Sequence, residues 1–365
     1  SMRRSTLLVP GGVVDQREVG VDMGLSMIVR MYRFGRHGLW LLGMLLCLLW
    51  GHGHVLASPL HIRFSHVVAP QTPKGLAVER FKQELERLSE GSMVVDVFPS
   101  AKLYNDREEL QALKLGAVEM LLPSLSKFGR MGFPEFEIFD LPFLFEGQED
   151  VRRLTQGRLG QRLLDRLSKQ HMVGLGYLDN GFKQMSANRP LLWPQDYAGL
   201  RMRVQSSQVI AAQMDALGAT PVVLDFSETT RALAAHVVDG TENPVSNFWT
   251  QGMADVQTDL MLSDHAYLGY AVVMGHTFWS KLSSLQRQWV KQALDIALAH
   301  GNSIAAHENE QALQALRASG KTRIHRLSSE QRAALRQATA LVYEGLARRI
   351  GSEWVVAARQ SARGK

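Results

Sequence analysis

The fold is indicated by residues 60–98, LHIRFSHVVAPQTPKGLAVERFKQELERLSEGSMVVDVF. Residues 60–67 are mostly apolar and predict a buried strand. The apolar residues that come next repeat at the spacing of one helical face: Ala77, Phe81, Leu85 and Leu88. Gly91 ends this helix, and residues 93–98 predict a second strand. The stretch therefore predicts a strand–helix–strand unit.

The same alternation continues along the chain. Asn105 or Asp106 can cap a further helix that Gly116 ends, and residues 118–122 predict a third strand. Short connections between these elements indicate a βαβαβ unit, with a mostly parallel sheet flanked by helices. In such sheets ligands bind at the carboxyl ends of the strands, which places residues 124–127 near any site.

The second half of the chain has the same α/β character. We predict strands at 173–177, 200–204 and 221–224, and helices over 209–217, which Gly218 stops, and over 228–238, which Ser227 caps. From Trp279 onward the pattern is helical. No Pro-, Gly- or Ser-rich linker separates the halves, so we expect a two-lobed clam shell in which the chain crosses several times. We assign residues 58–180 and 269–308 to lobe I and residues 181–268 and 309–365 to lobe II.

The first 57 residues contain a pattern typical of a secretory signal peptide. From Met27 onward, three arginines precede an apolar run of twelve residues, 39–50, and small residues stand at the cleavage positions of the sequence Val-Leu-Ala, 55–57. Twelve apolar residues are fewer than the roughly 20 that span a bilayer. We therefore predict a signal peptide at 27–57 and a mature chain outside the cytoplasm. Cys47 lies within the predicted signal and lacks the small preceding residue of a lipoprotein signal.

Charge and motifs exclude several classes of function. The chain carries a formal charge of +6, of which residues 1–57 contribute six basic and three acidic residues, so the mature chain keeps +3. This mild, dispersed charge does not indicate nucleic-acid binding. Nucleophile-elbow, dinucleotide-binding, phosphate-binding-loop and zincin motifs are absent from the sequence. We expect no enzyme, no cofactor and no metal, and we interpret the scattered His66, His265 and His276 as structural or rim residues.

Residues 180–276 contain a pattern that indicates anion recognition. Its centre is Arg203, in a short strand just before a predicted helix. A guanidinium group can hold a carboxylate through two parallel hydrogen bonds. From the residues alone, a structural ion pair for Arg203 is as good an explanation. Arg201, on the same strand face, is the nearest rival, and we interpret it as a surface or lobe-packing residue.

Seven motifs in order give the chain a resemblance to a known family. They are Phe64-Ser65-His66-Val67-Val68 with Thr72-Pro73-Lys74-Gly75, Phe139-Asp140-Leu141-Pro142-Phe143-Leu144-Phe145, Asn180-Gly181-Phe182-Lys183, Gly199-Leu200-Arg201-Met202-Arg203, Gly218-Ala219-Thr220-Pro221, Asp239-Gly240-Thr241-Glu242-Asn243-Pro244, and Ser263-Asp264-His265 with Gly269-Tyr270. The mature chain resembles, over nearly its whole length, the periplasmic solute-binding subunit of TRAP (tripartite ATP-independent periplasmic) transporters, particularly the four-carbon dicarboxylate type.

The resemblance implies a periplasmic-binding-protein-like fold whose lobes, each a mixed sheet flanked by helices, close on an organic acid, with a helical C-terminus. It implies that Arg203 pairs with a substrate carboxylate and that Asn243 helps to fix it. The implied partners are a dicarboxylate such as succinate, malate or fumarate and the membrane permease subunits of a TRAP transporter. We expect a monomer that binds no nucleic acid.

A dicarboxylate needs a second cation, for which Lys183, Lys74 and Lys127 are candidates. Lys183 stands where many members of the family have a second arginine, and a lysine fixes the orientation of a carboxylate less tightly than the planar fork of arginine. Each lysine is otherwise explained as a solvated surface charge. Neutral hydrogen bonds are expected from the following polar residues: Ser124, Gln205, Ser207 and Asn247.

Aromatic residues of the same region are candidates for the walls of the pocket. Phe248, Trp249 and Tyr270 can exclude water and so strengthen ion pairs there, although ordinary core packing explains them equally well. Glu242 repels a carboxylate, so we expect it to point away or to form a structural pair. We interpret Asp140 as structural.

Three alternatives stay open at this point. The chain can be a receptor for another organic acid, such as a 2-oxo or aromatic monocarboxylate, and then Lys183 and Lys127 have no ligand charge to balance. It can be a secreted lyase or hydrolase, which requires a general base near Arg203. It can also be a sensor subunit that binds the same ligand but docks on a signalling protein.

Overall fold

The computed structural model of the protein describes residues 58–364. The predicted signal peptide lies outside the described residues. Within residues 58–364, none of the helices combines the length and the apolar character that a bilayer crossing requires.

The strands form a single mixed sheet. Their bounds are β1 Leu60–Ser65, β2 Met93–Phe98, β3 Met120–Leu121, β4 Met172–Ala187, β5 Arg201–Val204, β6 Thr220–Val223, β7 Gly240–Asn243, β8 Asp259–Gly275 and β9 Arg323–Arg326. The order across the sheet is β2-β1-β3-β8-β4-β7-β5-β6, and β9 also pairs with β8. The strands β1, β2 and β3 are parallel to one another, as are β6, β5 and β7, whereas β3, β4, β7 and β8 make antiparallel pairs.

Helices cover the sheet and dominate the C-terminal part. Their bounds are α1 Pro73–Leu88, α2 Glu109–Lys114, α3 Gln148–Thr155, α4 Arg158–Arg166, α5 Gln208–Ala216, α6 Phe226–Ala234, α7 Val245–Thr250, α8 His276–Lys281, α9 Ser284–Ser319, α10 Ser329–Ala338, α11 Leu341–Ile350 and α12 Ser352–Arg363. This mixed α/β architecture and the helical C-terminus agree with the fold class expected from the sequence.

Two long antiparallel strands, β4 and β8, run through the whole sheet as a ribbon. β3 pairs with β8 at Val273 and Met274, at one end of the ribbon, whereas β7 pairs with β4 near its other end. The strands β1–β3 and the strands β5–β7 therefore lie at opposite ends of the ribbon, and we call them the first and second strand groups. The ribbon therefore connects the two groups.

The middle of the ribbon is irregular. The register between β4 and β8 shifts between Asp179 and Gly181, where Gly181 has φ of 152°, a value that favours glycine. The expected lobe boundaries at 180/181 and 268/269 lie opposite each other at this bulge, because Gly181 pairs with Leu268. The assignment of residues to lobes stays a prediction. Helices α11 and α12, which we assigned to lobe II, pack in one core cluster with α3 and α4.

The helix α9 joins the two strand groups. Val290 and Leu294 pack in a hydrophobic cluster with residues of β1 and α1, next to the first group. Leu313 and Leu316, some five turns further on, pack with Phe248 and other residues next to the second group. A capping box formed by Ser283 and the side chain of the residue three positions later starts this helix.

Several predicted elements differ in the structure. The predicted cap Ser227 is wrong, because α6 begins two residues earlier than predicted, at Phe226 after Asp225. The strand predicted at 173–177 is only the start of β4, and β8 was not predicted at all. Its residues lie buried on both faces, so they show no alternation of apolar and polar residues. Asn105 does not cap α2 directly; its side-chain oxygen accepts from the backbone N–H groups of the two residues before that helix.

Candidate functional site

A small cleft opens at the carboxyl ends of β5 and β6. Residues of both strand groups line it: Asp106, Arg107, Lys127, Arg130, Arg203, Gln205, Ser206, Val223, Leu224 and Asp225. Three of the residues predicted for the site lie here, namely Arg203, Lys127 and Gln205. The position agrees with the expectation that ligands bind beyond the carboxyl ends of parallel strands.

Arg203 is held in place by the strand β5. Arg203 is only 2% exposed, and its Nε donates a hydrogen bond of 3.0 Å to the carbonyl of Leu224. The guanidinium carbon lies 5.9 Å from the centre of the Phe226 ring. Burial lowers its pKa, although nearby carboxylates oppose this, and an arginine remains charged in any case.

The charge of Arg203 has no ionic partner within the described part of the chain. No carboxylate oxygen of residues 58–364 lies within 4.0 Å of its nitrogens, and the only hydrogen bond of its guanidinium group there is the one to Leu224. Buried charges in proteins are normally paired, because an unpaired one loses its hydration without compensation. The free Nη groups can hold a planar carboxylate through two parallel hydrogen bonds.

Lys127, in contrast, is balanced by the protein itself. Its ammonium group forms ion pairs with Asp106 and Glu109. Burial lowers the pKa of Lys127, but the two carboxylates outweigh this effect and raise it above the ordinary value. Burial likewise opposes the ionisation of Asp106, yet Lys127 and Arg203 lower its pKa to about 2. Asp106 therefore stays charged in the cleft.

Lys74 is the second buried cation without a carboxylate. It is 1% exposed, its Nζ donates to the carbonyl of Leu122 at 3.0 Å, and it lies 4.0 Å from the centre of the Tyr270 ring. Within residues 58–364 its ammonium group has no carboxylate within 4.0 Å. Burial, together with the charge of Lys127, lowers the pKa of Lys74 to about 7.

A ring contact, a backbone bridge and one side-chain hydrogen bond connect Lys74 to the cleft. Tyr270, beside Lys74, pairs with Ser124 in an isolated β-bridge. The hydroxyl of Ser124 accepts a hydrogen bond of 2.9 Å from Gln205, which lines the cleft next to Arg203. Two cations are thus joined by groups that carry no charge and can donate or accept hydrogen bonds.

Tyr270 is also the edge of a buried amide network. Asn180 donates to the Tyr270 hydroxyl at 2.8 Å and to the amide oxygen of Asn247 at 2.9 Å. Its own amide oxygen accepts from the hydroxyl of Ser246. Burial raises the pKa of Tyr270 to about 12, so its hydroxyl is neutral and available as a donor. Asn180 and Asn247, from distant parts of the chain, therefore fix the orientation of the Tyr270 hydroxyl.

Lys183 lies in a different network. Its Nζ pairs with Glu242 at 2.7 Å, and both side chains are 1% exposed. The other Glu242 oxygen lies 2.7 Å from His265 Nε2 and accepts from Gln213 at 3.2 Å. Burial opposes the ionisation of Glu242, but Lys183 and His265 outweigh it and hold its pKa far below the ordinary range. Glu242 forms the structural pair that we predicted, and its partner is the lysine that we expected to hold a ligand.

The remaining predicted residues divide between site and core. Asn243 is buried at the end of β7, and its amide nitrogen makes only long contacts, 3.5 Å to Thr241 Oγ1 and 3.8 Å to a methionine sulfur. Phe248 lies in the hydrophobic cluster beside α9, and Trp249 packs against that cluster. Ser207 caps α5. The direct contact of each with a ligand stays a prediction.

Two residues have the structural roles that we expected. Arg201 is about half exposed and pairs with Asp239 at 3.0 Å, as predicted for a surface arginine. Asp140 accepts a hydrogen bond of 2.6 Å from the hydroxyl of Ser126. Burial raises the pKa of Asp140 to about 6.

Asp106, Arg107 and Asp225 are cleft residues that the sequence did not reveal as such. Asp106 is an acidic residue shortly before a helix, a position where a cap is the simpler interpretation. Asp106 and Asp225 are about 120 positions apart in the sequence, so no local sequence pattern connects them. Residues 58–364 contain no cluster of three or more side chains that could hold a metal ion.

Comparison with known proteins agrees with this arrangement. The profile of the family described as bacterial extracellular solute-binding protein, family 7 (DctP), matches residues 64–349. The C4-dicarboxylate-binding periplasmic protein DctP of Rhodobacter capsulatus is 48% identical over 304 residues, which cover 83% of this chain and 91% of the relative.

Solved structures show the same fold. A TRAP periplasmic solute-binding protein from Shewanella oneidensis with bound succinate is 41% identical, with a TM-score of 0.81, over 83% of this chain and 99% of that chain. One from Pseudomonas aeruginosa PAO1 with bound L-malate is 36% identical, with a TM-score of 0.77, over 79% of this chain and 100% of that one. The resemblance drawn from the seven motifs is confirmed, and the chain belongs to the bacterial extracellular solute-binding protein family 7.

Proposed function

We propose that the protein is the periplasmic receptor of a TRAP transporter and binds a four-carbon dicarboxylate such as succinate, malate or fumarate. The observation that carries this proposal is the pair of buried cations, Arg203 and Lys74, neither of which has a carboxylate within 4.0 Å among residues 58–364. The relatives named above, with C4-dicarboxylate-binding names or bound succinate and L-malate, support the same ligand class.

The charges favour a dianion over a monoanion. Each buried, unpaired cation destabilises the ligand-free protein, and a carboxylate that pairs with it removes that cost. A dicarboxylate can pair with Arg203 at one end and with Lys74 at the other, whereas a monocarboxylate leaves one cation unpaired. The neutral side chains between the two cations, Ser124, Gln205 and Tyr270, suit the short uncharged middle of such a ligand.

The other predicted ligand residues have supporting roles in this proposal. Lys127 contributes positive potential to the cleft while Asp106 and Glu109 hold it in place. Asn243 and Asn247 offer amide groups near the ends of β7 and at the start of α7. The charge of Lys183 is already paired with Glu242, so in this proposal Lys183 holds Glu242 in place and does not contact the ligand.

Calorimetry with a panel of acids tests the proposal. We expect succinate, malate and fumarate to bind, and pyruvate and benzoate to bind at least tenfold more weakly, since each lacks the second carboxylate. Arg203→Ala is expected to lower the affinity for succinate by about a hundredfold or more, because it removes two charge-assisted hydrogen bonds. Arg201→Ala removes a surface arginine from the same strand and serves as the matched control.

Two outcomes contradict the proposal. An unchanged succinate affinity in Arg203→Ala rules out the guanidinium as the anchor. If Lys74→Met weakens pyruvate and succinate equally, the second carboxylate has no cation of its own, and a monocarboxylate receptor becomes the better explanation. Mass spectrometry of the ligand that copurifies with the protein gives an independent answer.

Ser263, His265 and Glu242 are arranged in a way that raises the question of a catalytic function. Ser263 Oγ lies 2.7 Å from His265 Nδ1, and His265 Nε2 lies 2.7 Å from Glu242, the order of groups in a serine hydrolase triad. All three side chains are buried, and Glu242 is also paired with Lys183. We propose that this array is structural and that the bound acid is released unchanged. Proton NMR of succinate and malate after long incubation with the protein is expected to show no product.

Delivery to a membrane permease, rather than to a signalling protein, follows from the family and is the last part of the proposal. We expect a monomer in solution that restores succinate uptake when it is added to vesicles containing its permease subunits. Uptake that does not depend on the added protein contradicts a transport role.

A further inference from the structure

The two strand groups touch each other across the mouth of the cleft. Asp106 Oδ2, in the loop between β2 and α2, accepts a hydrogen bond of 2.5 Å from the backbone N–H of Phe226, the first residue of α6. Arg107 lies 3.2 Å from Asp225 and 3.3 Å from Glu228. About 120 positions separate the two sides in sequence.

The contact with Phe226 completes the start of α6. The residue that precedes this helix, Asp225, makes no capping hydrogen bond with its side chain. The first N–H groups of a helix have no acceptor within the helix, and a nearby negative charge stabilises that end. Asp106, from the other strand group, therefore takes the place of a capping side chain for α6: it accepts a hydrogen bond from the first N–H of the helix. Separating the groups removes the acceptor.

The contact lies directly over the anchoring arginine. Asp106, Arg107 and Asp225 line the same cleft as Arg203, and the ring of Phe226 faces the Arg203 guanidinium. Asp106 also pairs with Lys127. A ligand carboxylate on Arg203 would thus be enclosed by this contact when the groups are together.

We infer that Asp106 and Arg107 form a clasp with Asp225, Phe226 and Glu228, and that this clasp sets the rate at which a bound acid leaves. The inference rests on the proposed function, because it concerns the release of the ligand bound at Arg203. The clasp is formed only when the groups meet, so it slows dissociation and leaves association nearly unchanged.

Rate constants for succinate, measured by stopped-flow tryptophan fluorescence, test the clasp. Arg107 is more than half exposed, and exposed ion pairs are weak, so Arg107→Ala is expected to raise the dissociation rate only about two- to fivefold. Asp106→Asn keeps the shape but loses the buried charge, and we expect a rise of roughly tenfold. Association rates are expected to change by less than about twofold in both variants.

Arg201→Ala is the matched control. Arg201 is about half exposed and pairs with Asp239, as Arg107 pairs with Asp225, but it is not among the residues that line the cleft. Its removal breaks an exposed ion pair of the same kind without touching the clasp, so the dissociation rate is expected to stay unchanged. Glu228→Gln added to Arg107→Ala is expected to have no further effect, because one partner of that pair is already gone.

The outcomes separate the two proposals. If the wild type binds no succinate, the proposed function fails and the clasp fails with it. If the wild type binds and both clasp variants release succinate at the wild-type rate, only the clasp is overturned. Slower release from Asp106→Asn also overturns it, since Asp106 would then compete with the ligand for Arg203 and Lys127. Thermal unfolding of the ligand-free variants shows whether they fold.

Discussion

Among single residues, Lys74 and Lys183 show why sequence position does not determine the role of a charge. Both are buried lysines that belong to motifs of the family. Lys183 is paired with Glu242, whereas Lys74 has no carboxylate nearby in the part of the chain that the structure describes. The pairing of Lys183 was beyond reach of the sequence, because Glu242 is 59 positions from Lys183 and joins it only through the pairing of β4 with β7.

The lowered pKa of Lys74 predicts a pH-dependent affinity. Burial and Lys127 lower this pKa from an ordinary value of 10.5 to about 7, and a dicarboxylate that pairs with the ammonium group raises it again. Between about pH 6 and pH 7 the lysine is charged and succinate is still a dianion, so the affinity for succinate is highest there. Above pH 7 binding requires proton uptake, and the affinity falls by up to about tenfold per pH unit. Calorimetry in buffers of different ionisation enthalpy measures the proton uptake.

Lys74→Met provides the control for this pH dependence. The variant is expected to bind succinate more weakly and with no proton uptake between pH 6 and pH 9. A wild-type affinity that stays constant over this range contradicts the role of Lys74 at the second carboxylate.

Among the elements, the sequence predicted those with one buried face best. Helix α1 and strands β1 and β2 were predicted because their apolar residues repeat with the period of one buried face. Strand β8 was missed because nearly all of its 17 residues are buried, which removes the alternation that marks a strand. Arg203 was found from its place in a short strand before a helix, and the resemblance favoured a ligand role over a structural ion pair. Asp106 was not found, since its neighbours in the cleft come from β5, α6 and the turn after β3.

The pairing of β4 with β7 is expected to depend on the buried charges between them. Glu242→Gln leaves Lys183 charged and unpaired in the interior, so we expect a loss of about 3–5 kcal/mol in the free energy of unfolding, measured with urea. Lys321→Gln breaks an exposed pair with Asp255 and is expected to cost less than about 1 kcal/mol. Lys183→Met is expected to destabilise the ligand-free protein like Glu242→Gln. If Lys183→Met instead keeps the full free energy of unfolding but binds succinate weakly, Lys183 contacts the ligand.

The Lys183–Glu242 pair also predicts how the free energy of unfolding depends on pH. The pKa of Glu242 in the folded protein lies below its ordinary value of 4.5. Its ionisation therefore stabilises the fold fully above pH 4.5, and this contribution is lost progressively as the pH falls below that value. We expect the difference in unfolding free energy between wild type and Glu242→Gln to shrink from pH 5 to pH 3. A difference that stays constant over this range contradicts the assignment.

At the scale of the whole molecule, ligand binding is expected to stabilise both strand groups together. Succinate at a hundred times its dissociation constant adds about 2.7 kcal/mol to the stability of a protein that binds it only when folded. For a chain of roughly 300 residues this corresponds to a rise in Tm of about 4 °C. Differential scanning fluorimetry measures the shift, which we expect to be absent in Arg203→Ala and present in Arg201→Ala. A shift in both variants means that succinate binds elsewhere.

The helix α9 has a mechanical consequence for this molecule. Its 36 residues extend over roughly 54 Å without interruption, and its two ends are embedded in different hydrophobic clusters. Near its middle Gly301 lies so close to Leu178 and Ala77 that even a methyl group there would collide with both. The strand groups therefore cannot swing apart without flexing this rod. A change in the spacing of the two clusters is thus coupled to the shape of this one helix, whether or not an acid is present.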